Sequence, residues 1–489
     1  MTSSVDLRPI IHILGILLLM LSGLMLLPAA VELGMTGTNA VEFLFSAAAT
    51  GFLGMMAALA TRDNSGIRLD VRQAFLLTSL CWIVLPAFAA LPLLGMGLDS
   101  SIGLSYTDAV FETVSGLTTT GSTVMSGLDT LLPGLLLWRS LLQWVGGIGI
   151  IVMAIIILPF LRIGGMQLFR TESSDVSEKV VPRSVDVIKT IALTYFALSV
   201  LCAIGYMATG MSAFDAINHA MTTLSTGGYS THDASFGHFG AASQWVGVVF
   251  MIAGASPFLA FARFASGQPR ALIDDPQLRT FIKFLAIVIV GSALLLMLDQ
   301  GIGFFEALTM AAFNITSVAT TTGYASVDYT LWGTGAVFGF FLITVMGGCA
   351  GSTSGGIKTY RFQVLWITMR EQMLRLSSPN RVVILKYHGT RMPEGLPLSV
   401  LAFLAAFFAS IAVVSLLLAM MGLDFLTAVS ATAQAISGVG PGLGEIVGPA
   451  GNFSTLPDGA KWLLSLTMIL GRLEVFTLLM LFDPHFWRD

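Results

Sequence analysis

The chain has 489 residues, 55% of them hydrophobic and only 11% charged, with a mean hydropathy of +0.84 and a formal net charge of −4. Those proportions exclude a soluble protein built on a large core and mark an integral membrane protein. No nucleic-acid partner is expected.

Apolar runs lie near 10–31, 41–60, 73–95, 133–161, 187–209, 243–262, 281–298, 331–350, 397–421 and 462–482. Each is about 20 residues or longer, enough at roughly 1.5 Å rise per residue to cross a hydrocarbon core of about 30 Å. Ten spans are therefore expected. The first run follows a single basic residue, Arg8, but it is too long for a signal peptide and no small-residue cleavage site follows it. Cys81, Cys202 and Cys349 all fall within apolar stretches without CxxC or Cys/His spacing, so neither a disulfide framework nor a zinc site is expected.

The 24 Lys and Arg residues are confined to Arg8, to Arg62, Arg68 and Arg72, to the stretches 162–189, 263–283 and 358–391, and to Arg488, with Arg139, Lys461 and Arg472 apart from them. The positive-inside rule places these clusters and both termini in the cytoplasm, which requires an even number of crossings. Asp99, Asp108, Glu112, Asp129, Asp215, Asp233, Asp299, Glu306, Asp328, Asp424, Glu445 and Asp458 fall on the other side, opposed only by Arg139 and Lys461. An outer vestibule of that sign concentrates cations.

Four outer connections share a pattern. Each holds an apolar segment too short to span (107–117, 213–224, 304–319, 424–436), opened by Asp108, Asp215, Glu306 or Asp424. An acid there complements the positive end of a helix dipole. A Thr/Ser/Gly stretch follows each: Thr118 to Ser122, Ser225 to Tyr229, Thr320 to Tyr324 and Ser437 to Pro441. Gly121, Gly227, Gly323 and Gly440 stand 106, 96 and 117 residues apart, a loose internal repeat. Non-helical backbone at membrane depth must be buried in protein or line water. Four such segments around one axis would form a ring of carbonyl oxygens that replaces an ion's hydration shell. The expected ligands are Thr119, Thr120 and Gly121; Ser225, Thr226 and Gly227; Thr321, Thr322 and Gly323; and Gly438, Val439 and Gly440. Oxygen ligands of this kind suit a hard cation. Val439 lacks a hydroxyl, so the ring is not strictly fourfold.

The expected fold is an all-α integral membrane protein. It has an N-terminal helix pair (1–68) and four pseudo-repeats of helix, re-entrant pore loop and helix around one central pore: 69–170, 171–270, 271–391 and 392–489. Within the third repeat, residues 346–357 carry Gly347, Gly348, Gly351, Gly355 and Gly356. Each glycine costs a helix interior about 1 kcal/mol relative to alanine. The stretch is therefore read as an intramembrane loop below the ring, obstructing conduction until moved. It is not a phosphate-binding P-loop, because Ile357 separates Gly356 from Lys358 and no soluble strand precedes it.

The segment from Lys358 to Arg391 holds seven basic residues, with Trp366, Met369, Met373 and Leu376 at helical spacing. It suits either anionic lipid headgroups or a cytosolic regulatory subunit. Arg472 lies near the middle of the last run, where a charge costs at least about 2.5–3.5 kcal/mol and must face a polar cavity or a partner. Glu474, two residues on, projects from another helical face and is a poor partner for it.

Enzymatic readings fail. The six histidines show no HExxH spacing, no GxSxG elbow occurs, and the acids form no evident pair on a membrane helix. A coupled secondary transporter is the stronger rival, but it favours inverted repeats, whereas these four units share one orientation.

These residues resemble the Trk/Ktr/HKT superfamily of potassium transporters, most closely its TrkH-type members, over the whole chain. The motifs are Thr119-Thr120-Gly121, Ser225-Thr226-Gly227-Gly228-Tyr229, Thr321-Thr322-Gly323-Tyr324-Ala325 and Val439-Gly440-Pro441-Gly442-Leu443-Gly444, with Gly347 to Lys358 and Gly471-Arg472-Leu473-Glu474. The first two spans resemble the extra helix pair of TrkH-type subunits. The resemblance implies potassium as permeant ion with no bound cofactor, and a homodimer in the bacterial cytoplasmic membrane. It also implies a cytosolic TrkA-type nucleotide-binding regulatory ring, and a gate formed by the glycine loop with Arg472 as an electrostatic barrier beneath the filter. A filter glycine in all four loops is the pattern associated with potassium preference, and Gly121 is retained where some sodium-favouring plant relatives carry Ser. An H+- or Na+-coupled potassium symporter, or a sodium-permeable member, is the alternative.

Overall fold

The computed structural model describes residues 6–35, 40–62, 69–94, 104–157, 180–268, 270–378, 380, 384–393 and 395–487. The basic residues between 162 and 179, together with Arg68, Asp99, Arg381 and Arg488, lie outside the described residues. So do the repeat boundaries expected at 68 and 170.

Helices α1 (Arg8–Met35) and α2 (Ala40–Ala60) pack face to face at small residues. A Cβ on either Gly15 or Gly54 would stand 2.8 Å from the other's carbonyl oxygen, the close backbone approach typical of helices associating in lipid. Next comes α3 (Val71–Ala89), started by a capping box in which Asp70 Oδ1 accepts from Gln73 N at 2.7 Å and Gln73 Oε1 from Asp70 N at 2.9 Å.

The first repeat continues with the short α4 (Tyr106–Leu117) and the long α5 (Pro133–Ile157). The second has α6 (Val180–Ala208), short α7 (Ala213–Leu224), then α8 (Ala241–Gly254) and α9 (Phe258–Ala265). After the single turn α10 (Arg270–Ile273), the third has α11 (Pro276–Gln300), short α12 (Phe304–Ala319), α13 (Thr334–Val345) and α14 (Thr359–Ser377). A two-residue hairpin, β1 (Lys386–Tyr387) with β2 (Thr390–Arg391), leads to the fourth repeat. That repeat contains α15 (Leu396–Met420), short α16 (Phe425–Ser437), α17 (Asp458–Arg472) and α18 (Phe476–Met480). The expected all-helical membrane fold is thus observed.

The expectation of ten spans is corrected. Seven helices among the described residues are long and apolar enough to cross a membrane, and α8 with α9 makes an eighth only with a 95° bend. The runs 331–350 and 462–482 are broken as well. The break expected at 346–357 is present. The other two were not foreseen: Pro257 within 243–262, and Arg472 and Glu474 within 462–482, were not read as breaks.

Each break has a physical partner. At 254–258, Pro257 interrupts the helix, and the backbone groups it frees are taken up by the glycine loop. Thr353 N donates to Gly254 O at 3.2 Å, Cys349 N to Ala255 O at 2.9 Å, and Phe258 N to Gly351 O at 3.0 Å. Two irregular segments therefore satisfy each other, as backbone at membrane depth must. At 472–476, Glu474 and Val475 take left-handed φ values of 56° and 50°, each costing on the order of 1–3 kcal/mol. The buried guanidinium of Arg361 holds that turn through Glu474 Oε2 at 2.9 Å.

The short helices start as the acids suggested, with a refinement. In α4 and α7 the capping residue is a serine: Ser105 Oγ accepts from Asp108 N, and Ser212 Oγ from Asp215 N. Each serine donates back to the same carboxylate, at 2.8 and 2.7 Å. Only Asp424 is itself the cap, accepting from Thr427 N at 3.1 Å. Its bonds from Thr427 hold the carboxyl below the usual range. The exterior is apolar (Leu298, Phe305 and Ile287 are among the most exposed residues), whereas threonines and serines fill the centre. That distribution is the inverse of a soluble fold.

Candidate ion-conduction site

The four short helices end in nearly the same way. Thr119, Thr226 and Thr321 adopt φ of 53°, 51° and 57°, and Gly438 takes the same place at 68°. The next amide turns back to the helix: Thr120 N to Ser115 O at 2.9 Å, Gly227 N to Thr222 O at 2.9 Å, Thr322 N to Ser317 O at 2.8 Å, and Val439 N to Gln434 O at 3.1 Å. This is the Schellman closure, which normally places glycine in the left-handed position. Three β-branched threonines in that conformation are strained, and such strain concentrates at functional sites.

One step further, Gly121, Gly228, Gly323 and Gly440 have φ of 89°, 79°, 84° and 103°. The equivalence expected for Gly227 is therefore corrected by one residue: Gly228 shares the register of the other three. Gly227 aligns with Thr120, Thr322 and Val439. The two adjacent glycines left the register open in sequence, and only the backbone separates them.

These glycines close a ring. A Cβ on Gly121 would stand 2.1 Å from Gly227 O, one on Gly228 1.9 Å from Thr322 O, and one on Gly323 1.8 Å from Val439 O. The fourth contact, from Gly440 to Thr120 O, is looser at 3.0 Å. Each segment thus lies against a carbonyl of the next repeat, in the order one, two, three, four and back to one.

The following residues reinforce the ring in the opposite direction. Tyr229 OH reaches the first repeat, donating to Glu112 O at 2.8 Å, and Tyr324 OH reaches Thr222 Oγ1 of the second at 2.5 Å. Ser122 Oγ donates to Gly440 O of the fourth at 3.0 Å. Gln143 braces the second segment, donating to Gly227 O at 2.6 Å and accepting from Tyr229 N at 3.0 Å. Sequence reasoning passed over Gln143, which sits within an apolar run with no motif around it.

The two basic residues expected among the outer acids are not loose surface charges. Arg139 is buried, paired with Glu112 at 2.8 Å, and bonded to Ser230 O at 3.1 Å. Its guanidinium lies over the Tyr229 ring, 4.1 Å from the centroid. Lys461 is buried against Asp108 at 2.6 Å. Both act as struts behind the ring, and Glu112 and Asp108 are neutralised.

The glycine loop lies against the left-handed threonines. Thr226 Oγ1 bonds Thr353 Oγ1 at 3.2 Å; Thr321 Oγ1 meets Ser354 Oγ at 3.1 Å and accepts from Gly355 N at 2.7 Å. A Cβ on Gly355 would stand 2.0 Å from Ser437 O, in the fourth segment. Thr119 Oγ1 accepts from Arg472 Nη2 at 2.5 Å, and the same nitrogen donates to Thr353 O at 3.0 Å. The loop is tied at its neck by Gly347 N to Ile357 O at 3.0 Å. Gly347 and Gly348 have no room for a side chain, and Gly351 and Gly356 have φ of 73° and 62°.

Arg472 is in the last turn of α17, not at mid-helix as expected, because the helix stops there. Among the described residues no carboxylate lies within ion-pair distance of it, and its Nε is buried without a hydrogen bond. Glu474 pairs with Arg361 instead, and it lies beyond the end of α17, not on another face of the same helix as expected. Lys358 and Arg361, expected to open a cytosolic basic segment, belong to the interior: Lys358 Nζ donates to Ser354 O of the loop, and Arg361 lies over Phe403 at 3.6 Å.

The whole arrangement has counterparts among known proteins. Residues 42–488 match the TrkH family, described as cation transport proteins. The chain is 44% identical to the Trk system potassium uptake protein TrkI of Halomonas elongata, over 98% of this chain and 97% of that one. It is 39% identical to the Trk system potassium uptake protein TrkH of Vibrio parahaemolyticus, over 99% of both. The crystal structure of the potassium transporter TrkH from V. parahaemolyticus matches with a TM-score of 0.90 at 36% identity, covering 99% of this chain and all of the other. The chain belongs to the TrkH family of cation transport proteins, a family of transporters and not of enzymes.

Proposed function

We propose that this chain takes up potassium across the bacterial cytoplasmic membrane, with the four Thr/Gly segments as its selectivity filter. The observation that carries the reading is the closed ring of glycine-to-carbonyl contacts, three of them too tight for any side chain. Such a ring presents a fixed set of oxygens that can replace the hydration shell of a hard cation. The C-terminal ends of the four short helices converge on it, and their partial negative charge favours a cation there. Thr119, Thr120, Gly121, Ser225, Thr226, Gly227, Thr321, Thr322, Gly323, Gly438, Val439 and Gly440 are the proposed filter, with Gly228 added.

The glycine loop and Arg472 form the gate in this reading. They lie directly against the ring, and a guanidinium with no carboxylate partner among the described residues repels a cation leaving it. Control comes from a cytosolic TrkA-type regulatory ring. The exposed Trp366, Met369, Met373 and Leu376 of α14 are the surface offered to it. A homodimer in the membrane and cytoplasmic termini complete the proposal.

The test is 86Rb+ flux into proteoliposomes. Uptake that follows the rubidium gradient alone supports a gated conduit. A requirement for a pH or sodium gradient would favour coupled symport, and equal passage of sodium would remove the potassium filter.

A further inference from the structure

On the face assigned as outer, three side chains from two repeats meet away from the ring. Asp129 lies in the turn Leu128–Thr130, beyond the first Thr/Gly segment, and His232 and His238 lie beyond the second, where Ser235–His238 forms another turn. His232 Nδ1 bonds Asp129 Oδ1. The His232 and His238 rings stack with centroids 3.7 Å apart and planes 7° from parallel. One ligand atom from each of the three residues lies within 4.8 Å of the others, and no other such group occurs among the described residues.

The surroundings hold these donors in place independently of any ion. Leu128 N donates to Asp233 Oδ1 at 3.1 Å and Asp233 N to Asp129 Oδ2 at 3.3 Å, so the two turns are stitched together by backbone. His232 N donates to Ser230 Oγ at 3.1 Å, and Asp215 Oδ1 stands 3.5 Å from His232 Nε2. His232 Nε2 is buried without a hydrogen bond. Asp129 remains 48% exposed, leaving room for water in a fourth position.

Two imidazoles and one carboxylate are a donor set for first-row transition ions, with Zn–N near 2.0–2.1 Å and Zn–O near 2.0–2.2 Å. Calcium and magnesium prefer all-oxygen shells, and potassium has no reason to choose imidazole. We propose that Asp129, His232 and His238 bind a divalent transition cation such as Zn2+, which ties the outer turns of the first two repeats together and slows cation passage. A divalent charge bound there offsets the acidic character of the vestibule and lowers local cation concentration.

Sequence gave no hint of this site, since the third ligand comes from 103 residues before the first histidine.

Competition with a chromophoric zinc indicator, using purified full-length chain, tests the site. Wild type is expected to bind one Zn2+ per chain, unaffected by excess Ca2+. His238→Gln should weaken binding at least about tenfold, and His232→Gln/His238→Gln should abolish it. Wild-type affinity in the double variant would overturn the site. The second arm is rubidium flux with external zinc, and it rests on the proposed transport function. Zinc should slow wild type but not His238→Gln, whose flux without zinc should be unchanged. Zinc bound at these residues without slowing a measurable flux would overturn the effect on passage. A chain that binds zinc but conducts no rubidium at all would instead count against the proposed function.

Discussion

Arg472 and Thr119 are joined across the centre of the molecule, Nη2 to Oγ1 at 2.5 Å, so a cation from the last repeat touches the first Thr/Gly segment. The same guanidinium holds the loop through Thr353 O. It therefore couples ring and loop, and its removal should affect conduction more than stability. Arg472→Ala is expected to raise rubidium flux several-fold in proteoliposomes lacking any regulatory partner. Arg472→Lys should fall between, since it keeps the charge but loses the planar fork. Unchanged flux in both would separate Arg472 from gating.

Thr321 offers an independent test of the same contact. Thr321→Val keeps the branched shape, and therefore the backbone strain, but removes the acceptor of Gly355 N. Leaving that amide unsatisfied costs roughly 1–3 kcal/mol, borne by the loop-docked state. Flux without a partner should rise, and protection of loop amides in hydrogen exchange should fall. Wild-type protection would show that the hydroxyl does not hold the loop.

The register of the second segment predicts unequal neighbours. Gly228→Ala would press a Cβ 1.9 Å from the backbone oxygen of Thr322, which cannot move without opening the ring. The nearest atoms that Gly227→Ala would meet belong to the flexible side-chain amide of Gln143, at 2.4 Å. Potassium-over-sodium discrimination should collapse in Gly228→Ala, and in Gly323→Ala for the same reason, but be partly retained in Gly227→Ala. Equal losses at 227 and 228 would restore the register first expected.

Behind the ring, the buried pair Arg139–Glu112 should be costly to break and cheap to replace. Arg139→Ala leaves an uncompensated buried carboxylate, a loss of about 3–5 kcal/mol. Thermal unfolding in detergent should show a large drop, and the double variant Arg139→Met/Glu112→Gln should recover much of it. A double variant as unstable as Arg139→Ala would mean that the shape of the pair, not its charge, matters.

Asp424 predicts a pH dependence. Its folded pKa is depressed by the bonds from Thr427. The stabilisation it gives is thus present above the unfolded value of about 3.9 and is lost as pH falls through the lower folded value. Asp424→Ala should cost about 0.5–2 kcal/mol at pH 7, the usual range for an N-cap. The cost should shrink as pH falls below that unfolded value, and a constant cost across the acid range would rule out the ionised cap.

Much of this architecture was legible in the chain because membrane burial writes plainly. Long apolar runs and the recurrence of Thr/Gly after short acid-started helices are local patterns, each with one strong physical cause. The glycine loop at 346–357 was readable for the same reason, since so many glycines cannot sustain a helix. Arg472 was readable as a charge where none is cheap.

What the sequence could not decide were the pairings that depend on distant segments. The breaks at 254–258 and 472–476 exist because other segments supply their lost hydrogen bonds or hold their strained turns, which no window of sequence reveals. Gly227 and Gly228 are chemically identical, and only contact with Thr322 O from the next repeat chooses between them. Arg139, Lys461, Lys358 and Arg361 looked like charges for outer or cytosolic surfaces, but Arg139, Lys461 and Arg361 are buried and all four are paired with carboxylates or carbonyls. Sequence by itself determined the helical membrane fold and its family, because hydrophobicity and backbone propensity are local. The ring order, the register and the seating of the loop were decided by tertiary structure, because each is a contact between repeats about a hundred residues apart.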